Sequence, residues 1–171
     1  MSWFNGFDRK IFNLTLKLSQ DNKIYKFMRF ISRSGDWGVV WLLACLVLLI
    51  KPANRRTVEL CLITLLFTTV LGEHVLKRLF RRQRPFVTHG PVKLSIRTPS
   101  GFSFPSGHTA ASVACARTLS SVSPLVACLA YGYAFLMGVS RVYVKAHYLT
   151  DVIAGGLIGL ACSQAVLWYF G

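Results

Sequence analysis

The sequence predicts an all-α protein: a polytopic membrane bundle of about five transmembrane helices, preceded by amphipathic helices lying in the headgroup layer. Three observations carry this. Apolar runs nearly free of charge occupy 37–50, 58–75, 106–121, 125–139 and 148–170. Hydrophobic residues make up 53% of the 171-residue chain and charged residues only 15%, against about a quarter charged in an average soluble protein. The two segments before the first run alternate apolar and basic residues at helical spacing.

The N-terminal elements read as follows. Phe7, Ile11, Leu14 and Leu18 share one helical face, with Arg9, Lys10, Asn13 and Lys17 opposite. Ile24, Phe27, Met28 and Ile31 repeat the pattern against Lys23, Lys26, Arg29 and Arg33. Such helices lie with the apolar face in the bilayer and the basic face toward lipid phosphates. No charged n-region followed by an apolar h-region precedes them, so the first span is expected to serve as the membrane address.

The run at 37–50 is shorter than the roughly 20 residues a span needs; flanking tryptophans and Lys51 extend it to the interfaces. The second span, 58–75, carries Glu59 and Glu73 near its ends. An Arg-rich loop covers 77–104, a third helix starts near Ser106, a fourth follows Pro124, and a fifth runs from 148 to 170. Arg117 lies close enough to the end of its helix to snorkel. Cys45, Cys61, Cys115, Cys128 and Cys162 all fall inside apolar runs without CxxC spacing, and read as small hydrophobes.

The charges are lopsided, 20 Lys+Arg against 6 Asp+Glu. Nucleic-acid binders share that excess but not this apolarity; anionic headgroups or phosphate substrates account for both. The partners expected are therefore membrane lipids and a lipid phosphate, not nucleic acid. The chain reads as one domain, 1–171, with interfacial helices over 1–34 and a catalytic region over 77–151. Successive reversals place the loop at 51–56, the turn at 120–124 and the C-terminus on one membrane face. The 77–104 loop, residues 106–108 and the 140–148 turn then meet on the other.

The polar residues on that face suit phosphate chemistry. Lys77, Arg84 and Arg141 form a candidate clamp, since guanidinium forks and an ammonium match phosphate oxygens. Arg78, Arg81 and Arg82 read as lipid-contacting neighbours, and Glu73 stands four residues from Lys77, where a helical ion pair forms. Pro105-Ser106-Gly107-His108 opens an apolar helix whose first N–H groups favour an anion; Ser106 is an N-cap, a phosphate contact or both. His147 and Asp151 are spaced i, i+4, so a helix would put them on one face, the carboxylate fixing the imidazole tautomer and leaving the other nitrogen to attack. His74, His89, His108 and His147 lack metal-ligand spacing, and carboxylates are too scarce for a two-metal site. Catalysis without metal or other cofactor is expected.

K-x6-R-P from Lys77, P-S-G-H from Pro105 and S-R-x5-H-x3-D from Ser140, taken together, resemble the signature of the type 2 phosphatidic acid phosphatase superfamily. The resemblance implies a membrane lipid phosphatase. His147 would be the nucleophile that forms a phosphohistidine, Asp151 its orienting partner and His108 the general acid. Lys77, Arg84, Ser106, Gly107 and Arg141 would hold the phosphoryl oxygens. Substrates it implies are undecaprenyl diphosphate, phosphatidylglycerophosphate, phosphatidic acid or a lipid A phosphate. It also implies a bacterial cell membrane with the site on the extracytoplasmic side, where the positive-inside rule points the other way. A phosphotransferase using the same phosphohistidine, and a non-enzymatic basic scaffold, are the alternatives. His147, Asp151 and His108 standing where transfer chemistry needs them favour the phosphatase over the scaffold.

Overall fold

The computed structural model describes residues 2–18, 22–88, 96 and 98–171, and these form helices and loops without a strand. Among the described residues nine α-helices follow in order: α1 (Ser2–Leu16), α2 (Lys23–Ser34), α3 (Val39–Leu48), α4 (Arg55–Val70), α5 (Lys77–Phe80), α6 (Pro85–Thr88), α7 (Gly107–Leu119), α8 (Pro124–Tyr143) and α9 (Leu149–Phe170). A π-helical segment, Leu71–Leu76, joins α4 to α5 without a break. His89 lies outside the described residues.

Local chemistry sets the boundaries. Asn22 caps α2 by accepting from the Ile24 N–H at 2.9 Å. Ser123 caps α8 by accepting from Val126, and Pro124 fills the first turn, where no amide donor is needed. Tyr148 and Asp151 form a reciprocal capping box at the start of α9.

All five apolar runs are helical, but three segments are long and apolar enough to cross a bilayer: Pro52–Thr88, Pro124–Tyr143 and Leu149–Phe170. A fourth arises if α2 and the stretch Asp36–Leu48, bent by 59° to each other, count as one. α7 has 13 residues, about 20 Å of helix, short of the roughly 30 Å hydrocarbon layer. Instead it is the buried centre, packed on α4, α8 and α9. Its approach to α9 depends on two glycines: a Cβ on Gly159 would come within 2.3 Å of the Ala110 carbonyl oxygen, and one on Gly155 within 2.6 Å of the Ser106 oxygen. This is the small-xxx-small device that lets helices touch backbone to backbone in lipid.

Trp41, Cys45, Cys61, Cys115 and Leu119 pack as a dry cluster between α3, α4 and α7. All five cysteines are free, and Cys128 alone of them is exposed. Arg117 reaches Gln164 of α9 at 3.3 Å. The amphipathic α1 and α2 expose Phe7, Leu14, Ile24, Phe27 and Phe30, as interfacial helices should. They also turn Asp8, Tyr25 and Ser32 inward, which brings the N-terminal third into the site.

Candidate active site

His147 does not stand on a helix. It ends the tight turn between α8 and α9, and its backbone N–H bonds the Arg141 carbonyl at 3.2 Å, as does that of Ala146 at 3.1 Å. Its ring is 2% exposed. Nδ1 lies 2.7 Å from the Ser103 carbonyl oxygen; a carbonyl only accepts, so Nδ1 carries the proton. Nε2 then holds a lone pair, which accepts from Arg84 Nη1 at 3.2 Å. Burial, followed by the charges of Arg141, Arg84 and Lys77, holds this imidazole well below its ordinary 6.5. The result is a buried imidazole whose Nε2 carries no proton.

The spacing reading therefore needs correction in its geometry. Asp151 Oδ2 is 3.6 Å from His147 Nδ1, beyond a useful hydrogen bond. α9 begins only at Leu149, so the two residues do not share a helical face. Asp151 acts through Ser103: it accepts the Ser103 hydroxyl, and Ser103 turns its carbonyl to the imidazole. Asp151 also accepts the Tyr148 N–H at 2.9 Å and its carbonyl takes the Ser106 N–H at 3.0 Å, tying the P-S-G-H turn to α9.

The reading of Arg82 as a lipid contact is also overturned. Arg82 donates to Asp151 Oδ1 and Asp8 Oδ2, both at 2.6 Å, and to Thr150 Oγ1 at 2.7 Å. Two fully buried carboxylates would repel without a cation between them, and Arg82 is that cation. Arg81 donates to the Arg78 carbonyl, and both stay exposed.

Arg84 is 3% exposed. The carbonyls of Ser100, Gly101 and Ala146 hold it at 3.0 to 3.1 Å, aiming Nη1 at His147. Arg141 enters from α8, donates Nη1 to Ser32 of α2 at 2.6 Å, and keeps a buried Nε without a hydrogen-bond partner among the described residues. Lys77 pairs with Glu73 at 2.5 Å, with Glu73 41% exposed; the helical ion pair expected here forms across the π-segment. The same carboxylate approaches the α7 start, since a Cβ on Gly107 would meet Glu73 Oε1 at 2.5 Å. Ser106 stands at the N-cap of α7 without capping it by its side chain; its hydroxyl meets Thr109 Oγ1 at 2.9 Å instead. That leaves the α7 N-terminus without a side-chain cap from Ser106, and its partial positive charge has the Glu73 carboxylate nearby. His108, in the first turn, pairs through Nε2 with Asp36 Oδ1 at 2.9 Å. His74 is exposed. Among the described residues no group of three His, Cys, Asp or Glu could hold a metal ion.

The three sequence blocks thus meet: Arg84 hydrogen-bonds the His147 ring, the charges of Arg141, Arg84 and Lys77 act on it, and the Ser106 N–H is tied to the Asp151 carbonyl. Residues 56–171 match the PAP2 superfamily. The chain belongs to that superfamily. Over 155 residues it is 35% identical to an undecaprenyl-diphosphatase of Sulfolobus acidocaldarius, covering 90% of this chain and 74% of the relative. The crystal structure of Aquifex aeolicus LpxE superposes with a TM-score of 0.79 at 29% identity, covering 94% of each chain. The Bacillus subtilis transmembrane PAP2-type phosphatidylglycerolphosphate phosphatase shares the fold, with a TM-score of 0.80 at 24% identity over 99% of this chain and 87% of that one. This PAP2 protein is an integral membrane hydrolase of the phosphatase class.

Asp8, Ser32, Asp36 and Ser103 were not singled out in the sequence. Each lies outside the three blocks, and only the tertiary fold brings it to them. The one signal available was scarcity: Asp8 and Asp36 are two of only 6 acidic residues, and carboxylates in a basic membrane protein need a reason.

Proposed function

We propose that this PAP2 protein hydrolyses a lipid phosphate or diphosphate through a phosphohistidine on His147. The observation that carries the proposal is the His147 ring, with Nδ1–H fixed by Ser103 and the Nε2 lone pair turned to Arg84. The substrate phosphoryl group takes the place between Lys77, Arg84, Arg141, Ser106 and the α7 N-terminus at Gly107. Arg84 moves its donor from Nε2 to a phosphoryl oxygen, and Arg141 Nε gains its missing partner. Nε2 attacks phosphorus as the bond to the leaving oxygen breaks, and His108 protonates that oxygen. Water then attacks the phosphohistidine, the P–N bond breaks, and His108 takes the water proton. Charge stabilisation by the preset cations is the main catalytic contribution, as in other phosphoryl transfers.

An apolar groove lined by Thr109, Val113, Phe135, Gly138, Val152 and Ile153 starts at Thr109, the hydrogen-bond partner of Ser106. This supports a substrate whose tail stays in the bilayer while its phosphate enters the pocket. The acceptable headgroups are undecaprenyl diphosphate, phosphatidylglycerophosphate, phosphatidic acid and lipid A phosphate. The site is assigned to the extracytoplasmic face of a bacterial cell membrane; labelling of a cysteine introduced at exposed Arg78 in intact cells tests that assignment. The decisive experiment assays purified protein in detergent against this lipid panel and traps radiolabelled phosphate on the protein. Phosphate release with acid-labile label, both lost in His147→Ala, supports the mechanism. Undiminished release by His147→Ala would end it.

A further inference from the structure

We propose that Asp36, in the turn between α2 and α3, is a positioning residue that orients His108 and favours the charged imidazolium needed to protonate the leaving group. This rests on the reading of His108 as the general acid, and adds a group from outside the three sequence blocks.

The turn is built to bring this carboxylate inward. Gly35 passes so close to the bundle that a Cβ there would lie 2.4 Å from Met137 Cε and 3.2 Å from His108 Cδ2. Trp37 and Gly38 follow with φ of 59° and 70°. A left-handed conformation is unfavourable for a residue with a Cβ, and Trp37, 92% exposed, makes little packing to offset it. What the paired left-handed residues do achieve is a bend of 59° that leaves Asp36 Oδ1 at 2.9 Å from His108 Nε2.

The electrostatic setting of His108 shows why such a partner is needed. Burial and then the charges of Arg141 from α8 and Lys77 from α5 disfavour its charge and hold it below its ordinary 6.5, while Asp36 is the anion that acts on it in the opposite direction. His147 lies within electrostatic range as well, and Arg33 of α2 and Arg141 act on Asp36 itself. A phosphate pocket must be cationic, and the same cations would strip a proton from its own general acid. A carboxylate in contact offsets part of that cost and favours the imidazolium. Nε2–H stays with Asp36, so Nδ1–H is the proton delivered. As the P–O bond breaks, its electron pair goes to the leaving oxygen, which takes that proton. Neutral His108 then accepts a proton at Nδ1 from the water that hydrolyses the phosphohistidine, and the charged state is regenerated.

A purely structural role for Asp36 would lower all turnover alike, whereas a role through the general acid scales with the leaving group. The test compares Asp36→Asn, Asp36→Glu and the unmodified full chain in detergent, using short-chain phosphatidic acid (an alkoxide leaving group that needs the proton) and p-nitrophenyl phosphate (one that does not). For Asp36→Asn, kcat should fall about 100-fold on the lipid and by no more than about threefold on the aryl ester, within the range of general-acid contributions. The basic limb of its kcat profile should move to lower pH, and Asp36→Glu should recover much of the loss. Vanadate should still raise the melting temperature of Asp36→Asn, since the cations are untouched. An equal fall on both substrates, no fall on either, or an unmoved basic limb would overturn the role of Asp36 alone. Turnover by His147→Ala in the same assay would overturn the mechanism beneath it, and this inference with it.

Discussion

Two charged regions lie side by side and are built on opposite principles. Around Arg82 each charge is answered: Asp8 and Asp151 flank the guanidinium, Thr150 and Ser103 supply further hydrogen bonds, and the Tyr148 ring lies 4.2 Å beneath it. Next to it, Lys77 pairs with the half-exposed Glu73, Arg84 and Arg141 feel Asp151, Asp36 and Glu73 only at a distance, and among the described residues Arg141 Nε has no hydrogen-bond partner. Buried polar groups cost free energy unless satisfied. A saturated network can therefore be a stabilising joint, while an unsaturated one marks a place where something else must bind. The first region ties α1 to α9 beside the His147 turn; the second is where the proposed function seats the phosphate.

The largest separation between the two regions should come from His147→Ala. Turnover is expected to fall by on the order of 10⁴-fold or more, as when the nucleophile of a covalent mechanism is removed, with the melting temperature nearly unchanged. A large loss of thermal stability would mean that the imidazole belongs to the joint and not to the pocket.

Arg82→Gln probes the joint. It leaves two buried carboxylates, Asp8 at 1% and Asp151 at 0% exposure, facing each other without a cation. Removing one partner of a buried ionic network costs about 3–5 kcal/mol, so the melting temperature in detergent should fall sharply. The protein that remains folded should still respond to vanadate. Wild-type stability in this variant would remove the distinction drawn between the regions.

Arg141→Gln should do the reverse. It removes a buried, under-partnered cation, so thermal stability without anion should hold or rise. Turnover should drop about 10²- to 10³-fold, the cost of losing one donor to a developing oxyanion, and stabilisation by vanadate should largely disappear. A marked loss of stability without anion would place Arg141 in the joint.

This division also explains what could be read from the sequence. Cations at conspicuous spacing with a P-S-G-H turn and a His-x3-Asp pair announce the pocket, because phosphate chemistry demands those side-chain types whatever the fold. Hydrophobic runs announce the helices, because the bilayer demands apolar length. The joint left no such mark. Arg82 is one arginine among several neighbours, and only the packing of α1 against α9 makes Asp8 its partner. The i, i+4 spacing of His147 and Asp151 pointed to a contact that the capping box at Tyr148 supersedes, since the helix starts two residues too late. The third run reads as a helix and is one, but the run does not announce that the 13 residues of α7, five of them polar, are enclosed by protein on all sides. The Gly155-x3-Gly159 stripe that seats it against α9 was visible in the sequence, but its partner helix was not.

The smallest expected effect is in the pH dependence, and it tests the comparison most finely. His147 is held below 6.5 first by burial and then by Arg141, Arg84 and Lys77. Its lone pair is therefore available above that lowered value and is lost as the pH falls through it. The acid limb of kcat/KM, which reports the free enzyme, should lie below pH 6.5. Arg141→Gln takes away the largest of those charges, so the acid limb measured on its residual activity should move up in pH, toward 6.5. Arg82→Gln should leave the limb nearly where it was, because Arg82 is not among the charges that depress the imidazole and its own charge is balanced by Asp8 and Asp151. If both variants moved the limb alike, the two regions would be one electrostatic unit, and the unsatisfied Nε of Arg141 would no longer distinguish a binding pocket from the framework that supports it.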